Sequence, residues 1–133
     1  MGTRIALGYL IVLGAFVGLW ALFAALSFYD VFPGCGRVWV SIDGPYNEHF
    51  VRDVGALNLS LAVLSGFGLF RRRLVQPLVV GWATLTYNLP HLVYHISKLG
   101  LYAPVDKAGH LIGLGLAVLA SFVLIIDRQR VQS

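Results

Sequence analysis

The chain is short of charge. Only 12% of its residues are Asp, Glu, Lys or Arg, about half the roughly 25% found in soluble domains. That shortage excludes an ordinary water-soluble globule. Cysteine is nearly missing too. The single Cys35 excludes an internal disulfide framework and leaves either a free thiol or a bond to another chain. Acids are few, six against ten basic residues, for a net charge of +4. The basic residues are scattered and form no stripe, so nucleic acid is not an expected partner. Familiar catalytic signatures are also missing. There is no G-x-S-x-G, Walker loop, C-x-x-C or complete H-E-x-x-H, so neither a hydrolase elbow nor a phosphate cradle is available.

What the chain has instead is apolar length. Over 133 residues, 58% are hydrophobic and the mean hydropathy is +0.78, which places it in the membrane class as one domain over 1–133. Residues 5–28 carry no charge, and about 20 residues suffice to cross a bilayer. A signal peptide competes for this stretch, but its apolar core runs to only about 7–15 residues. Further spans are expected at 50–70, 74–97 and 105–126. Backbone groups in lipid must be satisfied within the segment, so the spans are helices. Short connections make neighbours antiparallel. The expected fold is an all-α membrane protein: an antiparallel up-down bundle of four transmembrane helices, with a structured outer loop at 29–49 between the first two.

Six basic residues (Arg4, Arg71, Arg72, Arg73, Arg128, Arg130) fall on one side and four (Arg37, Arg52, Lys98, Lys107) on the other. The positive-inside rule then puts both termini in the cytoplasm of a multi-pass cytoplasmic-membrane protein. Gly14 with Gly18, and Gly109 with Gly113, each form a G-x-x-x-G that lets helices approach.

The polar residues gather at one end. His49 with Asp53, His91 with His95, and Asp106 with His110 are all spaced by four, so each pair shares one helical face. At about 1.5 Å per residue the three pairs overlap in depth near the outer side. Asn58 and Asn88 extend the polar zone to roughly 12 Å in by the same rise. Pro90 removes a backbone hydrogen bond just before His91 and can kink the third span. Ionisable residues in a span usually face a bundle interior or a water-filled cavity.

Several chemistries fit this pattern. His49, Asp53, His91, His95, Asp106 and His110 are candidate ligands for a divalent transition metal, supported from behind by Glu48, Asn58, Asn88 and Tyr94. Asp53, His91 and His110 are alternatively candidate acid–base groups acting on a lipid-soluble substrate. A haem held by His91 and His110 is a weaker third option, since the attachment motif C-x-x-C-H is missing. A purely structural cluster competes with all of them, with Arg52 pairing Glu48 or Asp53 and Lys107 pairing Asp106. Trp20, Trp39, Trp82, Tyr87 and Tyr102 read as packing or interfacial aromatics.

In the outer loop, "PGCG" and "DGP" mark turns around the β-branched "RVWVSI", a short extended piece. Such a loop is placed to act as a lid over the polar end, or as a surface for a partner. The stretches "FPGCGRVWVSIDGPYNEHFVRDVGALNL" and "LPHLVYHISKLG" resemble a group of small four-span membrane proteins of actinobacteria, loosely DoxX-like. The resemblance covers roughly 28–126. It implies a four-helix membrane bundle and no particular reaction. The expected function is metal-dependent or acid–base handling of a lipophilic or redox-active small molecule. The competing class is a non-enzymatic accessory subunit docked on a larger membrane complex, or a homo-oligomer.

Overall fold

The computed structural model describes residues 2–129. Arg130, counted above among the cytoplasmic charges, lies outside them. Five α-helices run in order among the described residues: α1 Gly2–Phe23, α2 Ala25–Val31, α3 Glu48–Phe70, α4 Pro77–Lys98 and α5 Pro104–Gln129. Two-residue strands β1 (Pro33–Gly34) and β2 (Arg37–Val38) form an antiparallel hairpin in the loop after α2. The extended piece expected over residues 37–42 is thus shorter, confined to Arg37–Val38.

Local chemistry sets the helix ends. The Asn47 side chain accepts the Phe50 amide at 3.2 Å and caps α3, with Glu48 in the first turn, where the helix dipole favours an acid. Pro77 opens α4 at the one position where its missing N–H costs nothing. The first apolar stretch, expected as one helix over 5–28, breaks at Ala24 (φ −135, ψ 55). The break frees carbonyls in the last turn of α1, and the Arg52 guanidinium donates to that of Leu22. Arg52 also meets Glu48 at 2.7 Å.

Among the described residues, three helical stretches are long and apolar enough to cross a membrane: Gly2–Phe23, Glu48–Phe70 and Pro104–Asp127. α4 is as long, at 22 residues, but Asn88, Pro90, His91, His95 and Lys98 crowd its second half. By apolar length the described residues therefore show three such helices where the sequence leads one to expect four.

Leu7, Leu10, Val80 and Leu124 form a buried apolar core, while the inward face of α3 is lined mostly by small residues and its large apolar side chains mostly point outward. Buried positions on α3 include Gly55, Asn58, Ala62, Ser65 and Gly68, while Phe50, Val63, Phe67 and Phe70 are exposed. Where a helix sits in lipid, apolar side chains gain nothing by leaving it, and close backbone approach drives packing. Gly14 lies over the Asn58 carbonyl and Ala62, and Gly18 over Leu59 and Gly55. This pairing makes α1 antiparallel to α3 and confirms the first glycine pair as a packing device. The second pair behaves differently. Gly109 makes room for the Trp39 ring, and the Gly113 carbonyl accepts the Tyr9 hydroxyl at 2.7 Å. Thr84 and Ser121 hydroxyls, both buried, join α4 to α5 at 2.9 Å. The Thr3 hydroxyl bonds the Asp127 carboxylate, tying the start of α1 to the end of α5.

Candidate functional site

Beside Tyr87 the helices and the loop enclose a cavity of about 350 Å³. Its walls come from every major part of the chain: Leu13 and Val17 of α1, Val54 and Asn58 of α3, Tyr87 to His95 of α4, and His110 of α5. Phe32, Trp39, Val40 and Asp43 of the loop form a further part of its wall, so the outer loop lies against the polar end.

Three of the four histidines meet here. The His91 and His95 rings lie edge to face at 4.7 Å, one turn apart. His95 and His110 sit 4.9 Å apart across the α4–α5 seam. The row continues at both ends. Tyr87 stacks on His91 at 5.3 Å and 18°, and Trp39 and Tyr102 pack on His110 at 4.0 and 4.3 Å. His110 is only 3% exposed. Its Nδ1 is 2.9 Å from the Asp106 carbonyl. A carbonyl can only accept, so Nδ1 carries a hydrogen and Nε2 is the ring nitrogen left to face other partners.

Asp43 supplies the acid. Its Oδ1 and the Nδ1 of His95 are buried and without a hydrogen-bond partner, and both residues line the cavity. Beside the cavity, Tyr102 donates to the Trp39 carbonyl at 3.1 Å. Burial, followed by the nearby charge of Asp43 and by Tyr94, pushes its phenol up to about 12. Trp39 is held from its other edge, where Nε1 donates to Asp106 Oδ1 at 2.9 Å. Arg37 pairs with the same carboxylate at 3.3 Å.

The residues singled out by spacing thus divide. His91, His95 and His110 come together, with Asn58, Asn88 and Tyr94 on the same cavity. Asn58 donates to the Tyr87 hydroxyl at 3.0 Å and to the Val54 carbonyl at 2.9 Å. His49 and Asp53 do not join them. They pair with each other at 3.1 Å, both exposed, on the outward side of α3. Glu48 is likewise exposed and engaged by Arg52. The Asp106 side chain holds the loop through Trp39 and Arg37 rather than pairing with Lys107, and only its backbone touches His110. Among the described residues, no group of three or more His, Cys, Asp or Glu is arranged to hold a metal ion.

Asp43, Trp39 and Tyr102 belong to the site without any periodic signal, whereas Tyr87 stands four residues before His91 and so shares its helix face. Asp43 sits in a turn sequence and the aromatics resemble belt residues. The one available hint is that Asp43 is the sole acid between Asp30 and Glu48. Comparison with family models, with curated proteins and with solved structures returns no match to this chain.

Proposed function

We propose that the chain is a multi-pass protein of the cytoplasmic membrane, an antiparallel up-down bundle of four spans with both termini in the cytoplasm. α4 crosses despite its polar half because Asn88, His91 and His95 turn toward the cavity while Leu89, Val93 and Ile96 face lipid. In this reading the cavity lies near the outer face, binds a lipophilic small molecule and handles a proton on it. The kinship to DoxX-like four-span proteins is part of the proposal and rests on the two sequence stretches alone.

One observation carries the reading: the unpaired, buried His95 Nδ1 and Asp43 Oδ1 belong to the wall of one largely apolar cavity. Leaving a buried polar group unpaired costs about 1–3 kcal/mol. Two such atoms on one cavity are what a ligand with a polar end would satisfy. Asp43 takes the place beside the histidines that spacing assigns to Asp53. His95 and His110 are the proton carriers, and His91 and Tyr87 form the wall behind them.

A tightly held metal needs three or four donor atoms converging on one point. The described histidines stack by their rings instead, so the chemistry assigned to the site is acid–base. An accessory subunit is the competing class and would reveal itself by co-purification with a larger complex that survives His95→Leu.

The test is extraction. Protein purified from membranes in mild detergent should release a lipophilic molecule into organic solvent, detected by mass spectrometry. His95→Leu and His110→Leu should each lower its recovery by about tenfold, the effect of losing roughly 1.4 kcal/mol. Equal recovery from all three proteins would sink the proposal.

A further inference from the structure

The cavity has a roof and an open side. Phe32, Trp39, Val40 and Asp43 cover it on the loop side. The roof is pinned by the Trp39–Asp106, Arg37–Asp106 and Tyr102–Trp39 bonds. Three other lining residues are strongly exposed: Phe50 at 66% and Val54 at 38% on α3, and Tyr94 at 45% on α4. A residue that both lines a cavity and faces outward marks its mouth. Val54 lies six residues into α3, roughly 9 Å below the helix end. The mouth is therefore a slot between α3 and α4 that reaches down the lipid-facing flank, and the covered side is the one toward water.

The lining also restricts what can enter. It contains no Lys or Arg, and its only carboxyl side chain is that of Asp43. A phosphate or carboxylate head would meet that acid with no Lys or Arg to offset it. A cationic head would have to shed its water into a wall of Phe, Val, Leu, Trp and Tyr, which is costly for a full charge. A neutral hydroxyl escapes both penalties. A carboxylate accepts only, so Asp43 Oδ1 needs an O–H or N–H donor, and one hydroxyl can donate there while its oxygen receives from His95. The volume of about 350 Å³ lies near the lower end of the roughly 300–1,000 Å³ of ligand pockets. It takes a head and the first part of a chain; a longer tail must run out through the slot.

Building on the ligand-binding reading above, we infer that the occupant is a neutral lipid alcohol or phenol that slides in from the bilayer between α3 and α4. Its hydroxyl bridges Asp43 and His95, and its tail lies along Phe50 and Val54.

The full chain in phosphatidylcholine nanodiscs tests this with three chain-matched probes: farnesol, farnesyl acetate and farnesyl phosphate. Binding is read by tryptophan fluorescence, with protein-free nanodiscs correcting for partition. Farnesol should bind at least about tenfold more tightly than the acetate, as loss of a hydrogen bond to a charged acceptor implies, and also more tightly than the phosphate. Asp43→Asn, and independently His95→Leu, should reduce farnesol to the level of the acetate. Val54→Trp should slow farnesol transfer from donor vesicles several-fold. Equal binding of alcohol and acetate, or tightest binding of the phosphate, overturns the inference but leaves the ligand-binding reading standing. Unchanged transfer in Val54→Trp overturns the sideways route. If no probe binds, the inference falls, and the extraction experiment decides separately whether the ligand-binding reading falls with it.

Discussion

Gly109 matters for the atom it does not have. A Cβ there would stand 2.7 Å from Trp39 Cζ2, and the indole cannot retreat because it is packed on His110 and bonded to Asp106. Gly109→Ala should therefore lift Trp39 off His110 and cost about 1–3 kcal/mol, as overpacking does. A fall in unfolding midpoint together with red-shifted tryptophan emission would show it; unchanged emission would count against the packing described. Tyr102 makes a prediction in pH. An ordinary tyrosine titrates near 10, and this one is pushed up to about 12, so the fold favours the neutral phenol. Its stabilisation is present in full below about pH 10 and is lost as the pH climbs through about 12. The gap in thermal midpoint between the native protein and Tyr102→Phe should hold steady from neutral pH and narrow only above about pH 10. A gap that ignores alkali would show that the phenol does not hold the roof.

Among the elements, α1 and α3 form the closest pair, and the closeness is backbone on backbone. A Cβ on Gly18 would lie 2.7 Å from the Leu59 amide nitrogen, and neither helix has a flexible side chain to give way there. Gly18→Val should force the helices apart and destabilise by about 3 kcal/mol or more. Gly66, on the same helix as Leu59, has nothing within 4 Å of its added Cβ. Gly66→Ala should be neutral or stabilise by up to about 1 kcal/mol through helix propensity. Unfolding in graded mixed micelles separates the two; equal effects would mean that helix propensity rather than contact governs this helix. α4 plays a different part. Its C-terminal half gives up apolar surface to deliver Tyr87, His91 and His95 to one face, which is why it falls below the apolar length of its three partners.

For the whole molecule, the proposed topology puts the hairpin and roof outside and the arginine turn inside. Cys35 is exposed at the hairpin tip and is the only thiol in the chain. A membrane-impermeant maleimide should label it in intact cells. In a cysteine-free background, Arg72→Cys should react only after the membrane is opened. The reverse pattern would invert the protein and place its cavity at the cytoplasmic face.

Much of this architecture is local and could be read from the chain alone. Apolar runs, caps and the i, i+4 histidine pair depend on residues within a few turns of each other, so the helices and the His91–His95 face follow from spacing. The rotation of each helix about its axis does not. α3 turns inward the side where Gly55, Asn58 and Ala62 admit a neighbouring backbone. Asp53 lies two residues from Val51, about 200° around the helix, and so faces out with His49. Tertiary structure alone brings in Asp43, because a loop carries no period and its position depends on where Trp39 finds a ring to stack on and a carboxylate to bond. Spacing shows which side chains share a helix face, whereas packing between helices and loop decides which of those faces meet.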